Sequence, residues 1–269
     1  EGMTKQLGQQ VVVVSKPGAG GGIGYKYVQA RKPDGYSMVL SSNSISTGYH
    51  SGMMPFDHSA FDALAKVCVE FPVVALRADA PIGNLKDMVA FARRNPGKLR
   101  IGSTSIGSHM HLTAVAFSND NAIEVTLVPF ATTGHVSSLL GGHIDAVVTL
   151  PGSVSQHVKG GMLKVVGVLA SAREPVFAEV PTAIEQGFAF QSDLWRGIHL
   201  PKGTPPAILA RLEEAVRTTV NSAEFRQLGE KIGYLPAYLA PEPFARLVAT
   251  EDAAIARVMA RAGLRTTTP

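Results

Sequence analysis

The chain is poor in cysteine, in charge and in long apolar runs, and each shortage excludes a class of protein. Cys68 is the sole cysteine, so neither an internal disulfide nor a multi-cysteine metal site can form. Set in Lys66-Val67-Cys68-Val69, it reads as a buried small hydrophobe. No apolar run approaches the ~20 residues of a membrane span. Charged residues make up 17% of the chain against 45% hydrophobic ones, and the net charge is only +4. The basic residues are scattered (Arg93-Arg94, Lys98 and Arg100, then single sites) with little aromatic interleaving, so a nucleic-acid groove has no support. A mild positive balance does suit a small anion. Glu1-Gly2-Met3-Thr4-Lys5-Gln6 reads as polar helix and carries no secretory signal. A cytoplasmic protein and one whose leader has been removed both fit.

Catalytic signatures are missing as well. Five glycines crowd Pro17-Gly18-Ala19-Gly20-Gly21-Gly22-Ile23-Gly24 after the run Val11-Val12-Val13-Val14. The dinucleotide fingerprint wants glycine at relative positions 1, 3 and 6, and no register supplies it. A phosphate loop would end in Gly-Lys-Ser/Thr, where this chain has Ile23-Gly24-Tyr25. The loop is therefore read as a tight backbone path with close helix packing. No serine has glycine both two before and two after it. The eight histidines are dispersed, and His109 and His111 would face different directions on a helix. Asp145, Glu185 and Asp193 have no acidic partner close in sequence. No metal and no cofactor is expected.

What is present is rhythm. With 27 glycines and 17 prolines in 269 residues, short apolar segments alternate with amphipathic ones, the pattern of an α/β fold. Strands are expected at 10–15, 36–41, 73–77, 99–104, 125–130, 144–150, 163–170 and 194–200. Helices are expected at 85–94, 108–118, 136–140, 154–159, 205–221 and 241–262. The regular stretch 85–170 suggests one lobe and the two ends of the chain the other. The boundaries are placed at 1–75 plus 200–269 for lobe 1 and 76–199 for lobe 2, with a ligand cleft between them.

Four hydroxyl-rich loops follow expected strands: Ser41-Ser42-Asn43-Ser44, Ser103-Thr104-Ser105-Ile106-Gly107-Ser108, Ala131-Thr132-Thr133-Gly134 and Thr149-Leu150-Pro151-Gly152-Ser153. Ligands of open α/β sheets collect outside the carboxyl ends of the strands. Hydroxyls and free amides at helix starts favour a carboxylate. Each such residue could instead only cap its helix. Four loops together, with no catalytic set beside them, point to a binding protein and not an enzyme.

Read in order, several segments resemble the substrate-binding receptors of tripartite tricarboxylate transporters, the Bug/TctC-type periplasmic solute-binding proteins. They are Leu7-Gly8-Gln9-Gln10-Val11-Val12-Val13, Lys16-Pro17-Gly18-Ala19-Gly20-Gly21, Lys32-Pro33-Asp34-Gly35-Tyr36, Asn95-Pro96-Gly97-Lys98-Leu99 and Gly107-Ser108-His109-Met110-His111-Leu112. Val128-Pro129-Phe130, Leu139-Leu140-Gly141-Gly142, Val180-Pro181-Thr182 and Pro201-Lys202-Gly203-Thr204-Pro205-Pro206 follow.

The resemblance implies a two-lobed, type II (Venus flytrap) periplasmic-binding-protein fold, each lobe a mixed sheet flanked by helices. It implies a monomeric receptor without enzyme activity that closes over a small carboxylate, a di- or tricarboxylate or an aromatic acid. The receptor would deliver this ligand to membrane subunits of a tripartite tricarboxylate-type transporter. By position, lobe 1 would contribute Ser41, Ser42 and Asn43, and lobe 2 Ser105, Gly107, Ser108 and Thr132, with Thr149 and Ser153 at the other end of the ligand. Members of the family begin with a strand and a Pro-Pro-Gly-Gly-like loop ahead of the Leu-Gly-Gln segment, so lobe 1 is expected to lack its first strand. Many carry Asp where this chain has Thr149, which favours a plain acid over an amino acid. Two other readings stay open: the ligand-sensing domain of a cytoplasmic regulator, and an enzyme with a dispersed site built on His109 or His111 near Ser108.

Overall fold

A computed structural model describes residues 1–16, 18–130, 134–261 and 263–264. In chain order its elements are α1 (Gly2–Leu7), α2 (Gly22–Gln29), β1 (Val39–Ser42), α3 (Ser44–His50), β2 (Phe61–Glu70), β3 (Val73–Arg77), α4 (Leu85–Arg94), β4 (Arg100–Thr104) and α5 (His109–Asp120). There follow β5 (Thr126–Phe130), α6 (Gly134–Leu140), β6 (Ala146–Thr149), α7 (Pro151–Lys159), β7 (Leu163–Val168), β8 (Leu194–Pro201), α8 (Pro206–Val220), α9 (Ala223–Ile232), β9 (Leu235–Leu239) and α10 (Pro241–Arg261). The α/β class expected from the sequence is the one observed.

The chain divides into two compact units. Unit 1 comprises Glu1–Val69, Trp195–Gly229 and the stretch from Leu235 onward; unit 2 comprises Glu70–Leu194 and Glu230–Tyr234. Cuts at 75/76 and 199/200 would fall inside β3 and β8.

Unit 1 holds a four-stranded sheet in the order β1-β8-β2-β9. Its core gathers Tyr25, Ile45, Met54, Phe61, Trp195, Phe244 and Val248. The strand expected at 10–15 does not form. Strands exist by pairing their backbones, and Val12, Val13 and Val14 are exposed (Val13 by 93%) with no strand beside them among the described residues. The amide of Val11 instead finds the hydroxyl of Thr4 at 3.0 Å. Two strands arise where none was expected. β2 contains Asp62, Ala63, Ala65 and Lys66, and its register shifts between Lys66 and Cys68, which breaks the alternation that marks a strand. β9 contains Pro236, tolerated because β9 lies at the sheet edge. Cys68 is buried, as its apolar neighbours suggest.

Unit 2 holds a five-stranded mixed sheet, β5-β4-β6-β3-β7. Strands β5, β4 and β6 run parallel, while β3 is antiparallel to both β6 and β7. Helices α4 and α5 cover it through Leu85, Met88, Met110, Ala114 and Phe117. Asn84 caps α4 by accepting from the Asp87 amide at 2.8 Å. Parallel order sets the carboxyl ends of β5, β4 and β6 on one edge, where α6, α5 and α7 begin.

Candidate functional site

In unit 2, β4 ends at Thr104 and the chain turns through Ser105, Ile106 and Gly107 into α5. Gly107 takes φ +75°, a conformation that side-chain-bearing residues rarely adopt. Ser108 caps the helix: its Oγ accepts from the His111 amide at 3.3 Å and lies 2.7 Å from Thr104 Oγ1. The Ser105 carbonyl accepts the Ser108 amide at 3.0 Å. The Gly107 amide donates to His111 Nδ1 at 3.3 Å, so that imidazole is neutral with its proton on Nε2. Burial also holds the His111 pKa below the ordinary histidine value. His109 reaches the carbonyl of Ser192 at 3.2 Å.

On the neighbouring strand, Thr149 closes β6 almost fully buried, and its Oγ1 sits 2.9 Å from Nε2 of the equally buried His135. His135 lies in the first turn of α6. Ser153, in the first turn of α7, is exposed, and Leu150 at the N-cap supplies no side-chain acceptor. Thr132 lies outside the described residues. Segments 103–108 and 149–153 contain no charged residue. The carboxyl ends of β4 and β6 thus combine hydroxyls, backbone amides and the amino ends of two helices, a neutral set of donors suited to an anion.

In unit 1 the three expected residues sit together at the end of β1 but face inward, with exposures of 1% for Ser41 and 4% for Ser42 and Asn43. Ser41 Oγ donates to the Gly197 carbonyl at 3.0 Å, and its single hydrogen is then used. It must therefore accept from Nδ1 of His199, 2.6 Å away. His199 is packed among Phe61, Trp195 and Phe244. Burial, with the charge of His58 adding to it, pushes its pKa down to about 3 against the opposing pull of Asp62. Ser42 Oγ donates to Ser44 Oγ at 2.9 Å, and the Ser42 amide donates to the Tyr25 hydroxyl at 3.2 Å. Asn43 Nδ2 donates to Glu251 Oε2 at 2.6 Å, while its Oδ1 accepts the Trp195 amide at 3.2 Å. Trp195 Nε1 donates to the same Glu251 oxygen at 2.6 Å.

The glycine loop packs against this set. Gly18, Gly20 and Gly21 all have positive φ. Gly21 has φ +98°, a conformation that residues with a side chain rarely adopt, and a Cβ there would also crowd the Tyr25 ring at 3.3 Å.

The model of the tripartite tricarboxylate transporter family receptor matches residues 1–264. The chain belongs to that family. BugT of Bordetella pertussis is 28% identical over 265 residues, which is 96% of this chain and 81% of that protein. A TctC solute-binding protein from Polaromonas, solved without ligand, is 30% identical with a TM-score of 0.78 and covers 97% of this chain and 90% of its own. An R. palustris protein solved with adipate shares the fold at a TM-score of 0.90 and 23% identity, over 97% of this chain and 89% of its own. The family is one of solute-binding receptors, and the two-lobed periplasmic-binding-protein fold expected from the sequence is shared by these neighbours.

Several residues around these sets gave no signal in the sequence. His135, Tyr25, Trp195 and Glu251 carry the hydrogen bonds that fix the named residues, yet none belongs to a recognisable motif. His135 does sit directly after Thr132-Thr133-Gly134, and a polar residue so close to a hydroxyl-rich loop was the one available hint.

Proposed function

We propose that this protein is a periplasmic receptor that captures a small carboxylate and delivers it to a tripartite tricarboxylate-type membrane transporter. The observation that carries the reading is the shared edge of unit 2. There β4 and β6 end in Ser105, Ser108, Thr149 and Ser153, with no charged residue in either segment. In this reading Ser108 and Ser153 hold the acid group with helix-start amides. A fold neighbour solved with adipate indicates that this architecture accommodates a dicarboxylate. Thr149 offers a hydroxyl where an ammonium would call for a carboxylate, which supports a plain acid over an amino acid.

A thermal-shift screen of adipate, malate, citrate, benzoate and glutamate on the full chain tests this. A ligand at ~100 times its Kd adds roughly 2.7 kcal/mol of stability, which in a chain of this size raises Tm by about 5 °C or more. At least one plain acid should do so, and more strongly than glutamate. Absence of any shift across the panel would overturn the proposal.

A further inference from the structure

Unit 2 carries a second feature, whose lining shares no residue with the strand ends. An open groove of about 600 Å3 runs between α4 and the segment at Gln186–Phe188. Its rim is cationic, with Lys86, Arg93 and Arg94, and its floor is apolar, with Val89, Ala90 and Phe188. What distinguishes these cations is their lack of counterions. Unit 2 contains five arginines. Three hold carboxylates: Arg77 on Asp79, Arg100 on Asp145 and Arg173 on Glu185. The other two are Arg93 and Arg94. Among the described residues neither forms a salt bridge. Arg93 reaches only a neutral acceptor, the carbonyl of Asn121 at 3.0 Å. Asp87, the one acid on α4, is turned to the helix start, where its carboxylate accepts the Gly83 amide at 3.2 Å.

Three unneutralised cations around an apolar floor fit a partner that brings carboxylates and a hydrophobic side chain together. We infer that this groove docks an acidic, amphipathic segment of a partner protein. Its carboxylates would lie on Arg93, Arg94 and Lys86, and an apolar side chain would rest on Val89 and Phe188. Electrostatic complementarity of this kind sets orientation and association rate, while the apolar floor supplies the desolvated contact that holds the segment.

A short acetylated peptide of glutamate and leucine, titrated against the full chain by fluorescence anisotropy, is a direct probe. The reversal K86E/R93E/R94E should weaken binding by about tenfold or more. R257E/R261E, a charge reversal on exposed α10, should leave binding within about twofold. Serine in place of the peptide's leucines should weaken it by about fivefold. Stabilisation by the plain acid that shifts the wild-type chain most should be unchanged in both variants, so failure of the groove and failure of the carboxylate reading, on which this control rests, are distinguishable. Equal loss in the α10 variant, indifference to the leucines, or no saturable binding would each overturn the inference.

Discussion

The two units use the same polar side chains in opposite ways. At the end of β1, Ser41, Ser42 and Asn43 turn inward and tie the strand to β8, α2 and α10 through Gly197, Tyr25, Trp195 and Glu251. At the ends of β4 and β6, Ser108 caps a helix while Ser153 faces solvent. Sheet topology accounts for the contrast. In unit 1, β1 is an edge strand paired antiparallel to β8, so its end abuts the core and its hydroxyls are drawn into packing. In unit 2 three parallel strands finish on one edge, where the helices that follow them begin, and helix starts favour an anion there. Residue type alone therefore does not separate a packing serine from an exposed one; the neighbouring strand does.

The contrast would break first at Asn43. Its side chain joins Glu251 to the Trp195 amide in the interior, so Asn43→Ala should destabilise unit 1 by about 2–4 kcal/mol, the cost of stranding buried partners. Urea unfolding measures this, and a change near zero would show that the β1 end is not a packing device. A comparably large effect is expected in unit 2, from a carboxyl that gains nothing by ionising. Glu174 is 1% exposed and caps Val176. Burial, helped by the charge of Glu70 and opposed by the Val176 amide, raises its pKa to about 7.

The folded state thus binds this proton more tightly than the unfolded chain does. The resulting penalty is absent below the unfolded value of 4.5, grows as pH rises towards about 7, and levels off above that at roughly 3 kcal/mol. Glu174→Gln should remove that slope and be the more stable protein at pH 8, while matching wild type at pH 4. Parallel pH–stability curves for the two proteins would contradict it.

Smaller effects sharpen the comparison. Ser108→Ala removes a helix cap and should cost about 1 kcal/mol of stability, yet lower affinity for the stabilising acid by about tenfold or more. Ser153→Ala should leave stability within about 0.5 kcal/mol and still weaken binding several-fold. A Ser153→Ala protein with unaltered affinity would remove α7 from the site.

Much of this was readable from the sequence, and the gaps have physical causes. Strands β3, β4, β5, β6, β7 and β8 announce themselves as apolar runs bounded by turn residues, and hydroxyl loops mark the ends of β4, β5 and β6. The Val11–Val14 run is misleading because a strand depends on a neighbour, which local sequence does not contain. β2 hides behind Lys66 and a register shift, and β9 behind Pro236. Ser41 and Ser153 look alike in sequence; His199, more than 150 residues away from Ser41, is what makes one of them interior. Long-range partners of that kind leave no local trace, so His135 and Glu251 went unmarked as well.

The most direct test of the central claim is isothermal titration of the acid that most stabilises the wild-type chain into the S108A/S153A double variant. Ser42 is left intact in that protein, so the packing at the end of β1 is undisturbed. A folded protein whose affinity has fallen by about two orders of magnitude is expected, since two hydrogen bonds to a charged group are lost. A folded double variant that binds the acid as tightly as wild type would contradict it.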